Sequence, residues 1–252
     1  MDSFKMGIAK YFHRATPATS HRATTAPSPL GIWPLFASNA ILSALSIITL
    51  ALISSTVAWL LEQKHNVHSY EIAWPATSFQ LNVLPKNVWG DQGYESNGAA
   101  GYGFLVGIFG MITAWRLRRA GRPLKSLTVL LVLQIGAILF TLSAFIFVFI
   151  VTYKTMGQYI REPIAANNVG TDYAEYKWTP ETWMKAVLDL PLADQGKRDQ
   201  INTRVTNMVA WRWMLLPLFI VDCLAFSVTV AAWLRLRKCT TTRSSSADAI
   251  EK

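Results

Sequence analysis

Four long stretches of this chain carry almost no charge, and that constrains its fold more than any other feature. Residues 35–61 and 126–153 contain no Asp, Glu, Lys or Arg at all. Coiled as an α-helix at about 1.5 Å per residue, either stretch exceeds the ~30 Å hydrocarbon thickness of a bilayer, so the first must tilt or reach into the headgroups. Residues 99–117 form a shorter, glycine-rich stretch with Gly101, Gly103, Gly107 and Gly110, and residues 209–234 include Pro217 and one acid, Asp222, with Gln200 to Met208 as candidates to continue that helix beyond the membrane. All four are too long and too apolar for the amphipathic helices of a water-soluble domain. Only helices and closed barrels satisfy backbone groups in lipid, and these runs lack the alternating ten-residue segments of a barrel. The fold expected is an all-α membrane protein: a four-transmembrane-helix bundle with two structured outer loops, the second containing a short helix.

Composition agrees, with 52% hydrophobic and only 15% charged residues, the charges falling in blocks between the apolar runs. The net charge of +9 describes flanking segments and not one basic face, which argues against nucleic-acid binding. Arg118, Arg119, Arg122 and Lys125 crowd the turn at residues 118–125, with Arg116 just before it, and Arg235, Arg237, Lys238 and Arg243 follow the last span. The positive-inside bias places both clusters in the cytosol, with both termini. Loops 62–98 and 154–208, mixed in charge, then face outward. Aromatic residues fit this orientation. Trp33, Trp115 and Trp233 fall at the inner boundary, and Trp59, Tyr102, Tyr153, Trp211 and Trp213 at the outer one.

Residues 1–34 read as a disordered basic cytosolic tail, with a membrane-surface helix over the first dozen residues and a mitochondrial presequence as alternatives. Residues 235–252 end in a Ser/Thr-rich tail, read as disordered from Thr240. The first outer loop carries Trp74, Pro75, Phe79, Leu81, Val83, Leu84 and Trp89, material for one or two short strands. In the second, Thr179 as N-cap, Pro180 at the first helical position and Trp183, Met184, Val187 and Leu188 beyond them spell a short amphipathic helix. Loops of this length are expected to fold together over the bundle. Trp74, Trp89, Trp178 and Trp183 are the residues expected to offer a surface to protein partners or to a second copy.

Asp222 is the most informative side chain, because an ionisable group in mid-span is costly and faces the bundle interior or a watery cavity. It reads either as a proton or cation site beside the Pro217 kink, or as a neutral carboxyl acting as packing glue. Its expected partners are Gln134, Thr113, Ser54 and Ser46. Gly103 and Gly107 form a G-x-x-x-G pair, extended by Gly110, which suits close helix packing within the chain or between copies. Ala40 with Ala44, and Ala51 with Ser55, give the first span a similar small-residue face. Cys239, just past Arg237 and Lys238, stands where a palmitoyl thioester is attached, with a reduced free thiol as the alternative. Cys223, in apolar surroundings, is expected to be inert.

No nucleophile elbow, phosphate-binding loop or zinc-protease pattern occurs, and His65 and His68 near Glu62 and Glu71 make only a weak metal signal. The chain is therefore expected to be no enzyme and to use no cofactor or metal. The outer loops contain no N-glycosylation sequon.

Four spans, cytosolic termini, a short basic inner turn and two larger outer loops resemble the tetraspan families: claudin-like, MARVEL-type and tetraspanin proteins. Trp89 and Gly90 stand without the paired cysteines of the claudin-like first loop, and residues 154–208 lack the Cys-Cys-Gly of tetraspanins. The chain is also similar to four-span proteins of filamentous fungi, with Trp178 to Trp183 in the second loop and Arg212 and Trp213 entering the fourth helix. The resemblance implies the plasma membrane first and endomembranes second, while the paired aromatic outer loops, with no buried polar group beyond Asp222, point to a non-enzymatic organiser of partners or lipids. A small transporter or channel subunit built on Asp222 is the alternative.

Overall fold

The computed structural model describes residues 32–73, 78–120 and 125–248, with side chains as far as Lys238. The amino-terminal tail, Trp74, Pro75, Arg122 and the side chain of Cys239 lie outside the described residues.

In chain order the elements are α1 (Ile32–Glu62), β1 (Ser69–Ile72), β2 (Phe79–Asn82), α2 (Asp91–Ala120), α3 (Lys125–Thr155), α4 (Glu162–Asn167), α5 (Pro180–Leu188) and α6 (Gln195–Asp248). Helices α1, α2, α3 and α6 are each long and apolar enough to cross a bilayer. They form a ring in which α1 packs on α2 and α6, and α3 closes it by packing on the same two helices. The most apolar stretch of α2 has the lowest mean hydropathy of the four, 1.4, yet the largest share buried inside the protein, 44%. The glycines explain this, because the face they clear is covered by α1 and not by lipid.

Helix ends differ from the hydropathy reading wherever polar residues can prolong a helix into water. Helix α2 begins at Asp91 instead of Ala99, its first turn carrying an acid that complements the helix dipole. Helix α6 includes the continuation expected over Gln200 to Met208 and begins still earlier, at Gln195, where Asp194 Oδ1 accepts from the backbone N–H groups of Gly196 (2.8 Å) and Lys197 (3.3 Å). The same helix continues to Asp248 through the Ser/Thr cluster expected to be disordered. Prolonging an existing helix avoids the unfavourable nucleation step.

Both connections at one end of the bundle fold into a single cap. Strands β1 and β2 pair antiparallel with Tyr70 opposite Leu81, and their alternation turns Tyr70, Ile72, Phe79 and Leu81 inward. The second loop stitches onto the first through the backbone. Trp89 N–H donates to Trp178 O (2.7 Å), Trp178 N–H to Asn87 O (3.0 Å) and Ala73 N–H to Pro191 O (2.7 Å). Helix α5 has the start its sequence implies. Thr179 and Thr182 cap each other's backbone N–H groups, with Pro180 at the first helical position. Its apolar face, including Trp183, Met184 and Val187, joins Tyr70, Ile72 and Leu81 in one core that runs on into the bundle.

Candidate functional site

Within the bundle, the polar groups pair differently from the sequence expectation. Asp222 is buried in α6, and its partner is Thr141 of α3, whose Oγ1 donates to Oδ2 at 2.8 Å. Among the described residues Oδ1 of Asp222 has no partner. Gln134 lies about two turns from Thr141 along α3 and donates instead to Asn39 Oδ1 of α1 at 3.1 Å. Thr113 is buried in α2 and is not among the partners of Asp222. Ser54 donates to Asn97 at 3.4 Å, and Ser46 faces Gly103. Height and facing decide this: Thr141 is the α3 residue level with Asp222, whereas Ser46 and Ser54 turn toward α2 although α1 also borders α6. Asn39 carries no signal of its own in the sequence, because it sits in an otherwise apolar run.

The glycine face of α2 lies against α1. A Cβ at Gly103 would meet Ser46 Oγ at 2.7 Å, and one at Gly107 would meet Asn39 O and Ser43 Cβ at 2.8 Å. At Gly110 it would overlap the Asn39 side chain. The complementary surface on α1 is thus Asn39, Ser43 and Ser46. Of the other small residues of α1, Ala44, Ala51 and Ser55 are exposed on the outside of the bundle and are not the face that meets the glycines.

A second correction concerns the cap. Trp178 and Trp183 are fully buried and so present no surface to a partner. Their rings pack edge to face at 5.2 Å, and Trp183 Nε1 donates to Val83 O at 2.6 Å while Trp178 Nε1 donates to Glu175 O at 2.8 Å. Large aromatic side chains in a loop gave the cap its core, and nothing in the local sequence distinguishes that from an exposed patch. Trp89 is half-buried, edge-on to Phe147 and covered by Lys177 at 5.3 Å from the ring centre.

What the cap does expose is a cluster around Arg161. Its Nη2 donates to Tyr176 Oη at 3.1 Å, and Nε lies 3.8 Å from Glu175. Tyr176, Glu175 and Tyr159 hold the guanidinium pKa above its ordinary value. Tyr159 and Tyr176 are themselves exposed. Tyr176 has φ +63°, a left-handed conformation that bulky side chains rarely adopt. It is held there from below, stacked edge-on to buried Trp178 at 6.3 Å. Beside the cluster, Tyr159, Arg161, Pro163, Ala186 and Asp189 line an open groove of about 470 Å³.

Arg212 and Glu181 join cap to bundle as a buried ion pair at 2.8 Å. The belt residues divide. Trp33, Trp115, Tyr153 and Trp213 are exposed on the bundle surface, whereas Trp59 and Trp211 are buried. Arg118 lies over both Trp33 (5.3 Å) and Trp115 (5.9 Å) at the end remote from the cap. Among the described residues no group of three or more His, Cys, Asp and Glu is placed to hold a metal ion.

Comparison with family models, curated proteins and solved structures gave no match. The likeness to tetraspan proteins rests on the four long apolar helices.

Proposed function

We propose that the chain is a non-enzymatic tetraspan organiser of the plasma membrane. Its cap faces outward and recruits a protein partner, and both termini lie in the cytosol. The observation that carries this reading is the exposed Tyr159, Arg161 and Tyr176 cluster beside a groove, with Tyr176 kept in a costly backbone conformation. Tyr and Arg are the side chains most enriched where protein interfaces concentrate their energy. A cap interleaved from two loops is rigid enough to present them without ordering cost on binding. The topological likeness to the tetraspan families supports the plasma membrane as its location.

The test is proximity labelling of the full-length protein in the cell that expresses it. Replacing Tyr159 and Tyr176 together by Ala should remove the dominant labelled neighbours at unchanged abundance. An unaltered set of neighbours refutes the assignment.

The partnerless Oδ1 of Asp222 supports a second reading, a transporter or channel subunit that moves a proton or cation past α6. Asp222→Asn in proteoliposomes should then abolish a pH-driven flux that the wild type sustains. Equal flux in the two proteins removes this reading.

A further inference from the structure

A cavity of about 160 Å³ opens between α1 and α2 at the end of the bundle remote from the cap, independent of the partner surface. Ile32, Trp33 and Phe36 line it from α1, and Ala114, Trp115 and Arg118 from α2. Trp33, Trp115 and Arg118 are exposed on the bundle surface, and deeper along the same two helices Ile41 and Ile112 are exposed as well. A passage from arginine through exposed indoles to exposed aliphatic side chains marks the boundary between lipid headgroups and hydrocarbon.

Among the described residues Arg118 is the only charged one in the lining, and its guanidinium lies 5.3 Å from the ring centre of Trp33 and 5.9 Å from that of Trp115. The two rings hold it at the mouth of the cavity. Among the described residues no carboxylate pairs with it. Its planar fork of N–H donors is thus available to an anion that can be gripped at two oxygens, phosphate above all. Arg116, Arg119 and Lys125 stand near it, with no Asp or Glu in residues 111–120 or 125–135. A zwitterionic headgroup would bring an ammonium to a place that offers it no carboxylate, so charge complementarity selects a phospholipid of net negative charge. The same charge argues against other occupants. Residues 1–31 carry Lys5, Lys10, Arg14 and Arg22 against Asp2 alone, and a second copy in the same membrane orientation would bring the same arginines. An acyl chain has room beyond the phosphate: Phe36, Ala40 and Ala44 follow one another at four-residue steps on one face of α1, so small side chains continue the apolar lining into the hydrocarbon.

We propose that this cavity is a binding site for an anionic glycerophospholipid, its phosphate held by Arg118 beside Trp33 and Trp115 and its acyl chain lying along α1 over Phe36, Ala40 and Ala44.

The test is lipid retention by the full-length protein in a neutral maltoside detergent, read by native mass spectrometry with dioleoyl phosphatidylglycerol and dioleoyl phosphatidylcholine as competing probes. Phosphatidylglycerol should be retained in preference to phosphatidylcholine, and glycerophosphoglycerol, the same headgroup without chains, should not displace it. Arg118→Gln should weaken retention about tenfold or more, the share of a hydrogen bond to a charged group. Arg116→Gln removes the same charge two residues away, on a different face of α2, and should leave retention nearly unchanged. Arg118→Lys, which keeps the charge but not the fork, should fall between them. Melting of the three variants without lipid should match the wild type, because both arginines are exposed. Equal retention of the two lipids, displacement by glycerophosphoglycerol, or equal losses in Arg118→Gln and Arg116→Gln overturns the proposal.

Discussion

Arg212 in the last spanning helix and Glu181 in the cap, 31 residues apart, share a single nitrogen: Nη1 donates to both carboxylate oxygens, at 2.9 and 2.8 Å. Lys185 adds a third bond to Oε1 at 2.6 Å. Both partners of the main pair are buried, and the Arg212 guanidinium also lies 5.7 Å from the ring centre of Phe149. The pair thus fixes α5 on α6 at one place and in one rotation.

Breaking it on one side should be costly. Arg212→Met leaves Glu181 buried beside Lys185 alone and is expected to destabilise the cap by about 3–5 kcal/mol. Adding Glu181→Leu in the same chain should recover most of that loss, because an apolar pair of similar size removes the stranded charge. Thermal melts followed by tryptophan fluorescence, which reports on Trp178 and Trp183, measure both. A single variant that melts like the wild type would show that the pair does not dock the cap.

Two glycines of α2 should respond oppositely to the same substitution. Gly107→Ala drives a methyl against Asn39 O (2.8 Å) and Ser43 N (2.9 Å), and the forced separation of α1 from α2 should cost about 1–3 kcal/mol. At Gly101 a methyl meets nothing within 4 Å, so Gly101→Ala should gain up to about 1 kcal/mol from helix propensity. Detergent-titration unfolding of the two variants decides it, and equal effects would contradict the packing described.

Alkaline pH should loosen the cap. Tyr70 is buried, donates to Gln63 Oε1 at 3.2 Å, and has its phenol pKa pushed above the ordinary value by that burial. A group raised on folding contributes stability that is complete below its unfolded pKa, about 10, and is lost as pH climbs beyond it. Stability should therefore be flat up to about pH 10 and decline above it. Tyr70→Phe should lose about 1 kcal/mol at neutral pH with the hydrogen bond to Gln63, yet decline less steeply in alkali. Tyr173, also raised by burial, retains part of the slope. Identical pH profiles for the two proteins would rule out Tyr70 as the titrating group.

The spans were legible because hydrophobic length is a property of the local sequence, and so was α5, whose capping threonines and proline act within one turn. Their ends were not, since Asp91 and Asp194 extend helices into water through short-range polar contacts that hydropathy ignores. Asp222 was identifiable from its type and place, whereas its partner depended on the height and facing of residues on the helices beside α6. The inversion of Trp178 and Trp183 from surface to core has the same origin. A tryptophan in a loop is buried or exposed according to what the other loop brings to it, here Val83, Asn87 and Trp89, many residues earlier in the chain.

Helix α6 is unbroken over 54 residues, about 80 Å of rod. Its upper part is bolted to the cap through Arg212, and through Arg198, which donates to the carbonyls of Leu188 and Leu190. Whatever grips the cap and tilts it therefore swings the opposite tip as a lever would. The fulcrum is the bilayer, and the single compliant joint is at Pro217, where the missing amide hydrogen weakens the rod.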